Sequence, residues 1–117
     1  MEVHQDIFEP PIIIGIYQQI EAPVYTDSTH ATLDDNLAAY QITWVLKGLK
    51  GIALITESTA KGTIAANSPS LGTILITIPQ IDTASISPGE YEHECTELDV
   101  TEGIVRGLFK GHARVVD

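Results

Sequence analysis

The chain has 117 residues, the usual length of one domain built around one hydrophobic core. Its 16 acidic and 6 basic residues give a formal net charge of −10, which argues against binding to nucleic acid or to an anionic membrane surface. Hydrophobic residues make up 44% of the chain but aromatic residues only 6%, so the core must consist mainly of Ile, Val, Leu and Ala, and β-branched residues favour sheets.

The chain offers no sign of an oxidising or membrane environment. The single cysteine, Cys95, cannot form a disulfide within the chain, so a reducing cytoplasm is compatible with it. We expect no secretory signal, because the first residues lack a basic leader followed by a long apolar run. No segment approaches the roughly 20 apolar residues that a membrane-spanning helix needs, which predicts a soluble protein.

The first third of the chain predicts short extended segments. Residues 1–11 are interpreted as a flexible acidic leader that ends in two prolines. The run 12–17 is brief, β-branched and interrupted by Gly15, which predicts a strand. A second extended piece is expected over 22–26, and the polar residues of 27–36 predict a loop with one helical turn.

The middle of the chain predicts a β-hairpin. Residues 39–47 alternate in polarity, and Trp44 falls on the apolar face as an expected core anchor. Glycines bound the tetrapeptide 48–51, which suits a tight connection, and 52–57 resumes as a strand.

The remaining segments also read as strands separated by turns. Strands are expected over 62–66, 71–78, 90–98 and 104–116, and the Ile side chains of the second should point inward. Residues 79–86 are expected to cross between strands with one helical turn. We therefore expect about seven strands, with turn signals at the spacing typical of a β-sandwich or β-barrel. Nothing in the sequence indicates a second domain, so residues 1–117 are expected to form a single one.

The most chemical-looking segment is 90–95, which holds three glutamates, a histidine and a cysteine. Alternation on a strand puts the glutamates on one face and Tyr91, His93 and Cys95 on the other. Carboxylates two residues apart fan out in a row instead of converging on a cation such as Ca²⁺, so a solvated face is favoured over a metal site.

The inward residues of this segment leave two further alternatives open. His93 and Cys95 could supply two zinc ligands, completed by His112 or His4, but no CxxC or HxxxH spacing supports this. They could also form a nucleophilic pair, but no third orienting group is identified. We favour plain core packing, and since phosphate-loop, GxSxG, HExxH and EF-hand patterns are absent, we expect no catalytic residues, cofactor or metal.

The second half of the chain resembles small Ig-like β-sandwich domains of bacteriophage and prophage structural proteins, including the N-terminal domain of siphophage baseplate upper proteins. The similarity extends over roughly residues 40–116. It lies in the strand 42–47 and in four later motifs: Ile74-Leu75-Ile76-Thr77-Ile78, Asp82-Thr83-Ala84, Pro88-Gly89-Glu90-Tyr91, and Gly103 with Gly107-Leu108-Phe109-Lys110-Gly111.

These motifs have physical roles in such a domain. Asp82 is expected to cap a turn, and Tyr91 to place its ring in the core while its hydroxyl reaches backbone, as in a tyrosine corner. His93 and Cys95 stand where such domains usually place larger apolar or aromatic residues. The resemblance implies an Ig-like antiparallel β-sandwich of about seven strands with one short helical turn.

The resemblance also implies a function. It predicts a non-catalytic virion component of the tail, baseplate or head–tail accessory kind, made in the host cytoplasm and carried in the virion. Its partners would be other virion proteins or further copies of itself, reached through surfaces and exposed edge strands. The run 12–14 would be an ordinary first core strand or an arm that packs on a neighbouring copy.

Two other functions remain open. The alternative is a ligand-binding module, a carbohydrate-binding or Ca²⁺-dependent adhesion domain, which would need exposed aromatic side chains. A hydrolase, the third candidate, would need polar groups converging in a pocket.

Overall fold

Eight strands and a single-turn α-helix form the described part of the protein, which is a computed structural model covering residues 3–24, 40–68 and 70–117. In chain order the elements are β1 (Val3–Ile13), β2 (Gln18–Pro23), β3 (Gln41–Lys47), β4 (Ala53–Ser58), β5 (Ile64–Ala66), β6 (Thr73–Ile78), α1 (Gln80–Thr83), β7 (Gly89–Asp99) and β8 (Ile104–Val116). The expected all-β fold with one short helical turn is confirmed.

The strands form two sheets that enclose one core. One sheet has the order β1-β8-β7-β3-β4 and the other β2-β6-β5. This is the strand order of an Ig-like sandwich of the variable type, in which β2, β6 and β5 take the places of strands B, E and D, and β3, β4, β7 and β8 those of C, C′, F and G. The Ig-like expectation is therefore confirmed.

The alternating residues of the central strands build the core. Trp44 is fully buried on β3 between buried Ile42 and Leu46, as its alternation predicted. The Ile face of β6 also points inward, and Ile12 of β1 lies in the same core. The burial of Ile12 favours an ordinary core strand over an arm that packs on another copy.

Two expectations for the start of the chain were wrong. Residues 3–11 are not a separate leader, because they belong to β1, which pairs in parallel with β8. This pairing adds an eighth strand and makes the larger sheet mixed instead of purely antiparallel. The strand expected over 12–17 ends at Ile13, and Gly15 turns the chain with φ of +75°, leaving Ile16 and Tyr17 exposed.

Other boundaries moved by a few residues. The second strand is Gln18–Pro23 instead of 22–26, and β5 has only three residues. The loop and helical turn expected over 27–36 lie outside the described residues.

A β-bulge in β8 changes which side chains face inward. Cys95 pairs with Phe109 but Thr96 pairs with Gly107, so Leu108 is the extra residue. Leu108 and Phe109 are consequently both buried, although they are adjacent. Beyond the bulge, Arg106 lies opposite Glu97 on the inner face of β7.

The connection from β6 to β7 contains the tyrosine corner that the sequence predicted. The Tyr91 ring packs against the core, and its hydroxyl donates to the Ser87 carbonyl oxygen at 2.6 Å. Asp82 does not cap the turn as expected, since its carboxylate faces Lys61.

Candidate functional site

The outer face of β7 and β8 carries the glutamates that the sequence singled out. Each glutamate lies opposite a basic residue or a histidine of β8, and Glu94 Oε1 also lies 2.7 Å from Lys47 Nζ on β3. Cross-strand pairs of this kind stabilise a sheet. Because the carboxylates are paired across the sheet in a row, they do not converge on a cation. The pairs are Glu90 with Arg114, Glu92 with His112 and Glu94 with Lys110.

The inner face holds His93 and Cys95 in the core beside Trp44. The Trp44 indole Nε1–H donates to His93 Nδ1 at 3.3 Å, and the His93 ring centroid lies 5.7 Å from that of Phe109. A nitrogen that accepts carries no proton, so the neutral imidazole holds its proton on Nε2. Burial, with the charges of Glu97 and Glu94 as lesser causes, raises the pKa of the Cys95 thiol far above its ordinary value, so it stays protonated.

The described side chains rule out one of the two zinc sites that the sequence left open. His112 lies exposed on the opposite face of the sheet from buried His93 and Cys95, so it cannot complete a zinc site with them. The side chain of His4 lies outside the described residues. Within the described part of the chain, no group of three His, Cys, Asp or Glu side chains is placed to hold a metal ion.

A buried charged cluster joins the end of β4 to α1. Glu57 is fully buried, and its Oε1 accepts from Lys61 Nζ at 3.2 Å. Lys61 Nζ lies 3.6 Å from Asp82 Oδ2 and donates to the Thr56 carbonyl oxygen at 3.0 Å. Burial and then the Asp82 contact raise the pKa of Glu57 to about 7, against the opposing effects of Lys61 and Thr63.

A second buried carboxylate, Glu97, lies near the end of β7. Arg106 Nη1 lies 3.4 Å from Glu97 Oε1, and its Nη2 lies 3.9 Å from Asp99 Oδ2. The guanidinium carbon sits 5.5 Å from the centre of the Tyr40 ring, within range of a cation–π contact. The bulge at Leu108 makes this arrangement possible, because it turns Arg106 toward Glu97.

A cleft of about 540 Å³ lies beside the turn between β3 and β4. Its walls carry charges of both signs, with Lys47 and Lys50 facing Glu90 and Glu92. Specific ligand sites are mostly apolar with a few convergent polar groups, and this open, mixed-charge cleft lacks that character.

Exposed apolar side chains lie on the turn between β1 and β2 and on α1, two segments that a hydrogen bond joins. Ile16, Tyr17 and Ile81 are 51%, 59% and 80% exposed, values that leave most of each side chain in water. The Gly15 amide donates to Thr83 Oγ1 at 2.8 Å, which fixes this turn against α1. Gly15 and Ile81 also line one cleft of about 390 Å³. We call Ile16, Tyr17 and Ile81 the turn patch.

Comparison with known proteins leaves the chain without an assigned family. No protein-family profile matches it, and no curated protein shows significant sequence similarity to it. Separately, the described residues include no helix with the length and apolar character required to cross a bilayer.

Sequence reasoning missed the buried charges. Glu57 falls two residues after buried Ile55, and Glu97 two residues after buried Cys95, so alternation alone would have put both on inner faces. The neighbours of Glu57 could not be inferred in the same way, because Lys61 and Asp82 lie on separate connections that only the folded chain brings together.

Proposed function

We propose that the protein is a non-catalytic structural or assembly component of a bacteriophage or prophage virion, of the tail, baseplate or head–tail accessory kind. It works through contacts with other virion proteins. The turn patch carries this proposal, because large exposed apolar side chains on adjoining segments are typical of protein–protein interaction sites. The motifs that resemble phage Ig-like domains support it, since the DTA segment forms the end of α1 and PGxY opens β7.

Three of the four edge strands of the described sheets, β5, β1 and β4, carry features that oppose addition of a strand, which favours contact through the turn patch. β5 is very short, and β1 contains two consecutive prolines that cannot donate hydrogen bonds. On the edge strand β4, Leu54 forms a bulge, and Lys61 Nζ donates a hydrogen bond to the Thr56 carbonyl oxygen. These features are known protections against edge-to-edge pairing.

No observation favours the ligand-binding alternative. Trp44, the one tryptophan of the chain, is fully buried and cannot form a sugar platform. The glutamates of β7 lie two residues apart in a row, and no group of three acidic, His or Cys side chains among the described residues is placed to hold a cation.

The first test measures absolute mass by light scattering after size exclusion, at low and moderate salt. Salt matters because the net charge of −10 opposes self-association when it is unscreened. A discrete oligomer that Ile81→Ser dissociates supports assembly through the turn patch. Val100→Ser is the matched control, since Val100 is 60% exposed but lies in the turn between β7 and β8.

The second test addresses the virion itself. Particles purified from the organism that encodes the chain should contain it at a fixed copy number per particle, measured by quantitative mass spectrometry. A monomer at every concentration would remove self-assembly from the proposal and leave binding to a different virion protein. Absence of the chain from purified particles would overturn the virion assignment.

A further inference from the structure

The cluster of Glu57, Lys61 and Asp82 has one negative charge too many for its buried position. With both carboxyl groups ionised, the two acids and one ammonium carry a net charge of −1. Glu57 has no exposed surface, whereas the side chains of Asp82 and Lys61 are 23% and 48% exposed, so Glu57 is the carboxylate whose charge would lie out of water. Burial of an uncompensated charge is strongly unfavourable. The neighbouring groups that shift the pKa of Glu57 are Lys61 and Thr63 on the β4–β5 connection and Asp82 on α1.

The hydrogen bonding of the cluster is also incomplete by one proton. Among the described residues, no donor lies within hydrogen-bond distance of Glu57 Oε2 or Asp82 Oδ2, although both atoms are buried. Both carboxyl groups nevertheless lie beside the same ammonium, with Lys61 Nζ 3.2 Å from Glu57 Oε1 and 3.6 Å from Asp82 Oδ2. One proton placed between them makes one oxygen a donor and the other an acceptor, and it brings the cluster to neutrality.

We propose that Glu57 and Asp82 share one proton, and that this proton holds β4 against α1 as a clasp that loosens when the pH rises. The clasp joins the edge strand of the five-stranded sheet to the connection that leaves the three-stranded sheet. Lys61 belongs to it, and this same side chain covers the Thr56 carbonyl oxygen at the edge of β4. Loosening the clasp therefore exposes a backbone acceptor on that edge.

The direction of the pH effect follows from the raised pKa of Glu57. Its pKa is about 7 in the folded protein and 4.5 in the unfolded reference. The stabilisation is therefore fully present below pH 4.5 and is lost as the pH rises through 7. Between these values, local opening of the clasp should become more frequent, approaching roughly tenfold per pH unit.

Amide hydrogen exchange measured by mass spectrometry tests the clasp in the intact chain. The segments to follow are 59–63 and 79–84, whose backbone hydrogen bonds include Thr63 N–H to the Ser58 carbonyl and Asp82 N–H to the Pro79 carbonyl. Exchange rates are corrected for their intrinsic pH dependence. Protection in these segments should fall on the order of tenfold or more between pH 5 and pH 8, while the β7–β8 hairpin keeps its protection.

Three variants test whether the shared proton causes the pH dependence of protection in these two segments. Glu57→Gln keeps a neutral group that can donate, so its protection should not depend on pH in this range. Asp82→Asn should also remove the dependence, because Glu57 then pairs with Lys61 alone as a neutral pair. Glu94→Gln, on the outer face, should behave as the unaltered protein.

The outcomes are distinct. Unchanged pH dependence in Glu57→Gln, or in Asp82→Asn if Glu57→Gln does not fold, would overturn the proposal. Constant protection of both segments in the unaltered protein would overturn it as well. Neither result would bear on assembly through the turn patch.

Discussion

The hydrogen bond between Trp44 and His93 can be isolated by a double-mutant cycle. Trp44→Phe removes the indole N–H that donates to the buried Nδ1 of His93 and also reduces the ring volume. The two losses together should lower the free energy of unfolding by about 2–4 kcal/mol. His93→Leu leaves the buried indole N–H without that acceptor and should cost about 1–3 kcal/mol. The double variant should lose about 1–2 kcal/mol less unfolding free energy than the two single variants lose in sum, because neither the donor nor the acceptor of this hydrogen bond is left buried without the other.

The assay is urea unfolding followed by circular dichroism at constant pH. Trp44 is the only tryptophan, so two of the four proteins in the cycle lack tryptophan fluorescence. Equal slopes of free energy against urea in all four proteins would show that the unfolded states are comparable. Additivity within about 0.5 kcal/mol would refute the coupling, and the hydrogen bond would then contribute nothing beyond packing.

Three further predictions follow from other contacts. Tyr91→Phe should lower the free energy of unfolding by about 0.5–1.5 kcal/mol, because only the hydrogen bond to Ser87 is lost; a loss above about 3 kcal/mol would mean that the ring has also moved. Cys95 should resist a thiol reagent such as dithiobisnitrobenzoate in the folded protein and react fully in denaturant, and rapid labelling of the folded protein would contradict its burial. Glu57→Gln should flatten the dependence of the unfolding free energy on pH. In the unaltered protein, ionisation of Glu57 should lower that free energy by at most about 3 kcal/mol from pH 4.5 through pH 7. Urea unfolding at each pH measures this, and parallel curves for the two proteins would contradict it.

The parts of the fold that follow from local pattern were predictable. The alternation around Trp44 and in 74–78 placed the core faces correctly, and the limits of β8 were predicted without error. The same rule separated the outward glutamates of β7 from inward His93 and Cys95. Tyr91 was predicted to reach backbone, and it does so through a hydrogen bond of 2.6 Å.

The remainder depends on contacts between distant residues. The segment 3–11 resembles a leader because its prolines and charges lower strand propensity, yet pairing with β8 makes it a strand. Similarly, nothing near Glu57 in sequence shows that Asp82 will meet it. The turn patch was also hidden, since Ile16 and Ile81 look like core residues, yet the turn at Gly15 leaves Ile16 at the surface and Ile81 is exposed on α1.

The pairing of β1 with β8 has a consequence for folding on the ribosome. Among the described strands, β1 is made before the others and pairs only with β8, which is made after them, so β1 must wait unpaired while the strands between them are synthesised. Contacts this distant in sequence slow folding, because the entropy of closing the long loop is lost before any contact forms. Until β8 emerges, a nascent chain therefore has the exposed backbone of β1 and an incomplete core, a state that chaperones recognise.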